Sequence, residues 1–160
     1  MHESGVFEIR PVRESDHAPL LTLSSRLAIG VAPWRDPGKV AAAVRGWIES
    51  SLASAHCADQ AVLIAVLDGR VVGMVSLAER RHFTGDTDAY VGELVVDTTV
   101  EGRGAGRALM QAAERWAAHR GLFKITLETG TRNHRARRFY ADAGYQEEDI
   151  RLTKVISAGR

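Results

Sequence analysis

The sequence predicts an α/β (α+β) fold: a single domain, residues 1–160, built on a central mixed, mostly antiparallel sheet flanked by helices, with one parallel strand pair. Three observations predict it. First, residues 90–116 (YVGELVVDTTVEGRGAGRALMQAAERW) read as an inner strand, a short polar link, a turn with a glycine at every second position, and a helix. The alternating run 122–128 (LFKITLE) follows. A strand–helix–strand crossover of this length makes the two strands parallel. Second, the apolar run 61–67 and the run 71–78 flank Asp68-Gly69, which predicts a hairpin with a type I′ turn. The key strand 89–96 comes after a loop rather than a helix, so these strands are antiparallel neighbours. Third, 160 residues suffice for one domain that buries about 70% of its unfolded surface, and no repeat, low-complexity tract or linker divides the chain.

Taken in order, residues 6–10 alternate loosely and predict an edge strand. Asp16 is placed to cap a helix carrying Leu20, Leu23 and Leu27 on one face, ended by Gly30 and Pro33. Asp36-Pro37 reads as the cap and first position of a second helix, with Val40, Val44, Trp47 and Ile48 as its buried stripe. Residues 79–88 are a polar loop. In the key strand Leu94, Val95 and Val96 are apolar and rich in β-branching, and Asp97, Thr98 and Thr99 break the run. Leu109, Ala112, Ala113 and Trp116 recur at helical spacing to about His119, and Gly121 is placed to end that helix. Residues 133–143 predict a short helix with Ala136, Phe139, Tyr140 and Ala143 on one face, stopped by Gly144. Residues 150–156 predict a last strand, the sixth.

Composition narrows the function classes. A formal net charge of +1 gives no whole-chain case for a nucleic-acid or membrane-surface protein. Cys57 is the only cysteine, so an intramolecular disulfide is impossible and a reducing compartment is expected. No apolar run reaches about 18 residues, and residues 1–10 lack the apolar core of a signal peptide. The expectation is a soluble cytoplasmic protein. Six histidines and one cysteine form no ligand-spaced cluster, so no metal site is expected.

The chemistry concentrates in the glycine turn. Gly102, Gly104 and Gly106 let the chain turn tightly and bring bare N–H groups close to a ligand. The first turn of the helix has amides without intrahelical partners, and the macrodipole adds partial positive charge, so the turn is a preformed anion site. A P-loop would end in Gly-Lys-Ser/Thr, which is missing. A dinucleotide turn needs Gly-x-Gly-x-x-Gly, and here Arg107 occupies the third glycine's slot. The segment Glu101-Gly102-Arg103-Gly104-Ala105-Gly106 resembles instead the acetyl-CoA loop of the GNAT (general N-acetyltransferase) superfamily, whose pattern is Gln/Arg-x-x-Gly-x-Gly/Ala. Glu101 departs from that pattern at its first position, a change expected to remove a side-chain contact to the cofactor. A second segment, Asn133-His134-Arg135-Ala136-Arg137-Arg138-Phe139-Tyr140 with Ala143-Gly144-Tyr145, is similar to the family's Asn-x-x-Ala-x-x-Phe/Leu-Tyr…Gly-Phe/Tyr signature. Together the two segments span about a third of the chain.

The resemblance implies a GNAT fold whose parallel strand pair splays apart to form the acetyl-CoA cleft. It implies that the pantetheine arm pairs with backbone at Leu94, Val95 and Val96. The pyrophosphate would sit on Arg103, Gly104, Ala105, Gly106 and Arg107. Arg103, Arg107 and Arg135 are candidates for the 3′-phosphate, with a solvated helix face as the other reading. Asn133 is a cofactor contact, a helix cap, or both. The implied reaction moves acetyl from thioester to amine. An alkylammonium with a pKa near 10.4 must lose a proton before it attacks. Glu93 is the candidate base, with His82 and Tyr90 as weaker ones, and its other reading is a partly exposed carboxylate or an ion-pair partner. Gly92 occupies one position where the family often has glutamate. Tyr140 matches the tyrosine that assists the departing thiolate, its other reading being core packing beside Phe139. Acceptor specificity is expected in residues 28–36 and 79–88. Three functions stay open: acetylation of a small-molecule primary amine, acetylation of a protein N-terminus or lysine, and non-catalytic acyl-CoA sensing. Analogy with such folds also raises a homodimer through the final strands.

Overall fold

The structure is a computed structural model and describes residues 6–157. Five strands form one sheet in sequential order: β1 (Glu8–Pro11), β2 (Gln60–Leu67), β3 (Arg70–Arg81), β4 (Thr87–Val96) and β5 (Ile125–Leu127). The first three pairings are antiparallel, and β4 with β5 is parallel. The sheet is therefore mixed and mostly antiparallel, as the sequence predicts. Asp68 and Gly69 both have positive φ, at 51° and 76°, and Leu67 faces Arg70 across the turn. Those are the conditions of the type I′ hairpin, whose twist matches that of the strands it joins.

Helices cover both faces. The long helices are α2 (Pro37–Ser54), which follows the short α1 (His17–Leu21), and α3 (Ala105–His119). Leu20, Ile48 and Leu52 pack on Ile64, Met74 and Val95 on one side of the sheet. Leu109, Met110 and Ala113 of α3 pack on Val72, Val75, Leu77 and Val91 on the other. Strand alternation sends neighbouring residues to opposite faces, so both sides of β3 and β4 are buried. The fourth helix, α4 (His134–Asp142), rests Phe139 and Tyr140 against the α3 side.

Several predicted boundaries move. The first strand is β1, shifted toward the chain's C-terminus by about two residues. The helix expected after Asp16 breaks into α1 and 3₁₀ turns at Glu14–Asp16 and Ser24–Ala28. Asp16 does not cap α1 with its side chain. It binds Arg10 instead, with Nη1–Oδ2 2.8 Å and Nη2–Oδ1 3.0 Å, and accepts from the Arg13 amide. Asp36 does cap α2, accepting from the Lys39 amide at 2.8 Å. Trp47 is half-exposed, and Leu52 takes the place given to it in the stripe. Half of the loop expected over 79–88 is strand, because β3 runs to Arg81 and β4 begins at Thr87.

The largest correction is the last strand. Residues 150–156 form no strand, and Ile150, Leu152, Val155 and Ile156 are exposed. Alternation of apolar residues is only a capacity to pair. The edge on offer is β5, just three residues long and not the seven expected, so it presents too little ladder to hold a sixth strand.

Two outcomes are expected for stability. Leu109→Ala removes a fully buried side chain and should cost about 3 kcal/mol in urea unfolding. The Arg10 guanidinium and the Arg13 amide hold the Asp16 carboxyl below its usual range. A depressed folded pKa contributes stability above the unfolded value of 3.8 and loses it as pH falls. Asp16→Asn should therefore be less stable than the parent near neutrality and converge with it in acid.

Candidate functional site

The site is built where β4 leaves β5. Their pairing runs Ala89↔Ile125, Tyr90↔Thr126, Val91↔Leu127 and stops. Strand β4 continues to Val96, so residues 92–96 have β3 on one edge and no strand on the other. Backbone polar groups on such an edge need partners, and an extended ligand can supply them. Leu94, Val95 and Val96 all lie in this stretch.

The departure coincides with a bulge. The register passes from Val75↔Leu94 to Leu77↔Val91, so Ser76 faces both Gly92 and Glu93. An extra residue in one strand bends it and sharpens its twist. Ser76 holds the bulge: its Oγ accepts from the Glu93 amide at 2.8 Å and donates to the Glu93 carboxylate. A Cβ at Gly92 would lie 2.8 Å from that Oγ, so a larger residue there would displace the Ser76 hydroxyl from Glu93.

Glu93 is 7% exposed and faces α2. Ser51 of α2 donates to its Oε2 at 2.7 Å, as does Ser76, which leaves Oε1 free of protein donors among the described residues. A cavity of about 190 Å³ adjoins it, lined in part by Ser51, Gln60, Ser76, Tyr90 and Gly92. Tyr90 lies beneath the Arg80 guanidinium, 4.3 Å from its ring centre. Burial, with Glu128 and Glu93 nearby, pushes the Tyr90 phenol above its ordinary value against the pull of Arg80. Ser51, Ser76 and Glu128 escaped the sequence reading. Two are lone serines on elements that read as cover and core, and no motif marks them.

The anion turn lies at the other end of the open edge. A 3₁₀ turn, Thr98–Val100, leads into Gly102 and Gly104, with φ of 73° and 95°. Gly104 is the N-cap of α3 in the left-handed region and offers no side chain to its amides. The Ala108 amide bonds back to the Gly104 carbonyl, and the amides of Gly104, Ala105, Gly106 and Arg107 find no backbone partner among the described residues. The Arg103 amide, expected among the free ones, instead donates to Val100 at 3.2 Å. The side chains of Arg103 and Arg107 project into solvent.

Helix α4 closes the far side. The Phe139 ring would lie 3.5 Å from a Cβ at Gly106, so the glycine lets α4 approach the start of α3. Asn133 caps α4, accepting from the Ala136 amide at 3.1 Å, and its carboxamide N–H groups have no partner among the described residues. A Cβ at Gly30 would lie 2.6 Å from the Asn133 Cβ, so the segment 28–36 reaches the mouth of the cleft. At the hairpin tip, residues 82–86, His82 bonds to Thr84 at 2.7 Å and packs at a tilt against exposed Phe83. Tyr140 packs edge-on to Phe139 and Tyr145, with ring centres 5.2 and 5.6 Å away. Burial alone pushes its phenol up to about 12. Glu101, which the sequence marks as a lost contact, pairs with Arg26 and with Arg135, the latter at 2.9 Å.

Among the described residues no group of three or more His, Cys, Asp or Glu side chains could hold a metal ion, and no helix is long and apolar enough to cross a membrane. Comparison with known proteins gives the arrangement its relatives. The family model described as Acetyltransferase (GNAT) family matches residues 26–145. An uncharacterised N-acetyltransferase of Mycobacterium tuberculosis is 30% identical over 118 residues, covering 70% of this chain and 73% of that protein. The aminoalkylphosphonate N-acetyltransferase of Salmonella typhimurium is 33% identical over 94 residues, covering 58% of this chain and 61% of the relative. Among solved structures, a putative acetyl transferase from Pyrococcus furiosus matches with a TM-score of 0.76 at 22% identity, over 94% of this chain and all of that one. A PaiA N-acetyltransferase from Thermoplasma acidophilum in complex with coenzyme A matches at 0.75 and 17% identity, over 91% and 93%. At such identities the superpositions speak for the fold, and the family model, spanning three quarters of the sequence, speaks for descent. The chain belongs to the GNAT family of acetyltransferases.

Proposed function

We propose that the protein is an acetyl-CoA-dependent N-acetyltransferase acting on a primary amine of a small molecule. The observation that carries this reading is the placement of the Glu93 carboxylate, buried and oriented by two hydroxyls, between a small cavity and the unpaired edge of β4. Acetyl-CoA fits the residues around that edge. The free amides of Gly104 to Arg107 suit its diphosphate, the open backbone at Leu94 to Val96 suits its amide-bearing arm, and the Asn133 carboxamide has N–H groups to spare. Arg103, Arg107 and Arg135 are the candidate cations for the phosphate end.

The cosubstrate supplies an activated acetyl group, and the chain supplies proton handling and orientation. Glu93 Oε1 accepts the proton that the ammonium must lose, directly or through one water. Ser51 and Ser76 fix the carboxylate so that Oε1 is the oxygen left to act. The Tyr140 phenol, pushed up to about 12, keeps its proton at neutral pH and donates it, or a hydrogen bond, to the sulfur as the thioester breaks. A small acceptor agrees with the size of the cavity beside α2 and the sheet, about 190 Å³. Two similar proteins are named for such acceptors, the aminoalkylphosphonate N-acetyltransferase of Salmonella typhimurium and a streptothricin acetyltransferase of Escherichia coli.

The test is release of free CoA in steady state against a panel of small amines beside a panel of peptides. Turnover with amines and none with peptides supports the reading; the reverse pattern replaces it with protein acetylation, and turnover with neither leaves acyl-CoA sensing. Glu93→Gln should lower kcat by about 10²- to 10⁴-fold, most strongly near neutral pH, with CoA affinity by calorimetry unchanged. Tyr140→Phe should lower kcat at least tenfold at constant CoA affinity; unaltered turnover would remove Tyr140 from the chemistry.

A further inference from the structure

We propose that Glu101 is a positioning residue for phosphate binding, holding Arg26 and Arg135 at the mouth of the cofactor cleft. The proposal rests on the acetyl-CoA reading above. The three residues come from separate parts of the fold: Arg26 from the 3₁₀ turn Ser24–Ala28, Glu101 from the glycine turn, Arg135 from the first turn of α4. Each arginine takes a different carboxylate oxygen. Arg26 Nη2 binds Oε1, and Arg135 Nη1 binds Oε2 at 2.9 Å. One carboxylate thus ties the α1–α2 side of the cleft to the α4 side, three residues before the unpartnered amide of Gly104.

The geometry leaves both cations usable. A guanidinium carries five N–H donors in a fixed fork, and each arginine spends one nitrogen on Glu101. The remaining donors, with the turn's amides, form a cluster of net charge +1 from two arginines and one carboxylate. Without Glu101 the two guanidinium groups repel each other and regain rotamer freedom. A ligand must then order them as it binds, which weakens it. Arg26 and Glu101 side chains are 23% and 29% exposed, so their ordering is met largely in the free chain. The glutamate is therefore a substitute for the family's Gln or Arg that recruits two cations in place of one polar group.

The sign of one substitution decides the matter. Removing a carboxylate beside an anion site strengthens anion binding by Coulomb attraction alone. Positioning predicts the opposite. Glu101→Gln should raise the Kd for CoA about fivefold or more by calorimetry at low salt, and Arg135→Ala, at an exposed side chain, should weaken CoA by a similar factor. In an Arg26→Ala/Arg135→Ala background Glu101→Gln should have no effect or tighten binding, because only the charge is then lost. Tighter or unchanged binding in Glu101→Gln alone would overturn the proposal, as would equal weakening in both backgrounds. Absence of any CoA binding by the unaltered chain would instead remove the acyl-CoA reading, and this one with it, so the two failures are distinguishable.

Discussion

The site depends on a single hydroxyl. Ser76 faces two residues of β4 where a regular ladder allows one, and it bonds both the amide and the carboxylate of Glu93. That contact fixes the bulge. The bulge turns β4 away from β5 just after Val91, and the separation leaves an edge open while burying a carboxylate beside it. An open edge and a buried carboxylate therefore meet at one bulge. Bulges recur next to functional sites because the extra residue re-aims side chains without ending the strand. The core on either face resists relaxation, since Val75 and Leu77 are locked against α3 and Met74 and Val95 against α1 and α2.

Charge is arranged around the same opening in two tiers. Inside, Glu93 and the half-buried Tyr90 and Tyr140 phenols lie in a poorly solvated space, where burial raises both phenols. At the mouth, Arg26, Glu101 and Arg135 join segments far apart in sequence. The division is physically sensible: proton donors and acceptors gain from exclusion of water, whereas phosphate recognition uses several partly solvated donors. Helix α4 serves both tiers, with Asn133 and Arg135 at its first turn and Tyr140 one face further along. Tyr145 beyond it donates to Glu114 on α3 at 3.2 Å, which anchors the end of α4 to the core helix.

Local chemistry made much of this legible. Asp68-Gly69 specifies its turn through two positive φ angles that few other pairs tolerate. The α3 stripe of Leu109, Ala112 and Ala113 is buried as its spacing requires. Gly104 lies in the left-handed region at the helix cap, as the phosphate-loop pattern anticipates. Where a signal was ambiguous in itself, sequence reasoning strayed. Trp47 lies within the apolar pattern of α2 yet stands half in solvent, because amphipathic spacing tolerates one more large residue than the sheet has room to cover. The alternating residues of 150–156 lack an edge long enough to join.

The sequence by itself determined the hairpin, the order of the first five strands and the glycine turn before α3, because turns, caps and periodicities are set by interactions within a few residues of one another. Only the tertiary structure decided which oxygen of Glu93 is free, what a side chain at position 92 would meet, and where Glu101 points. Each of those depends on atoms distant in the chain: Ser51 and Ser76 on one side of the sheet, Arg26 and Arg135 across the cleft. Contacts of that range carry no periodicity, so they become visible only when the strands are paired.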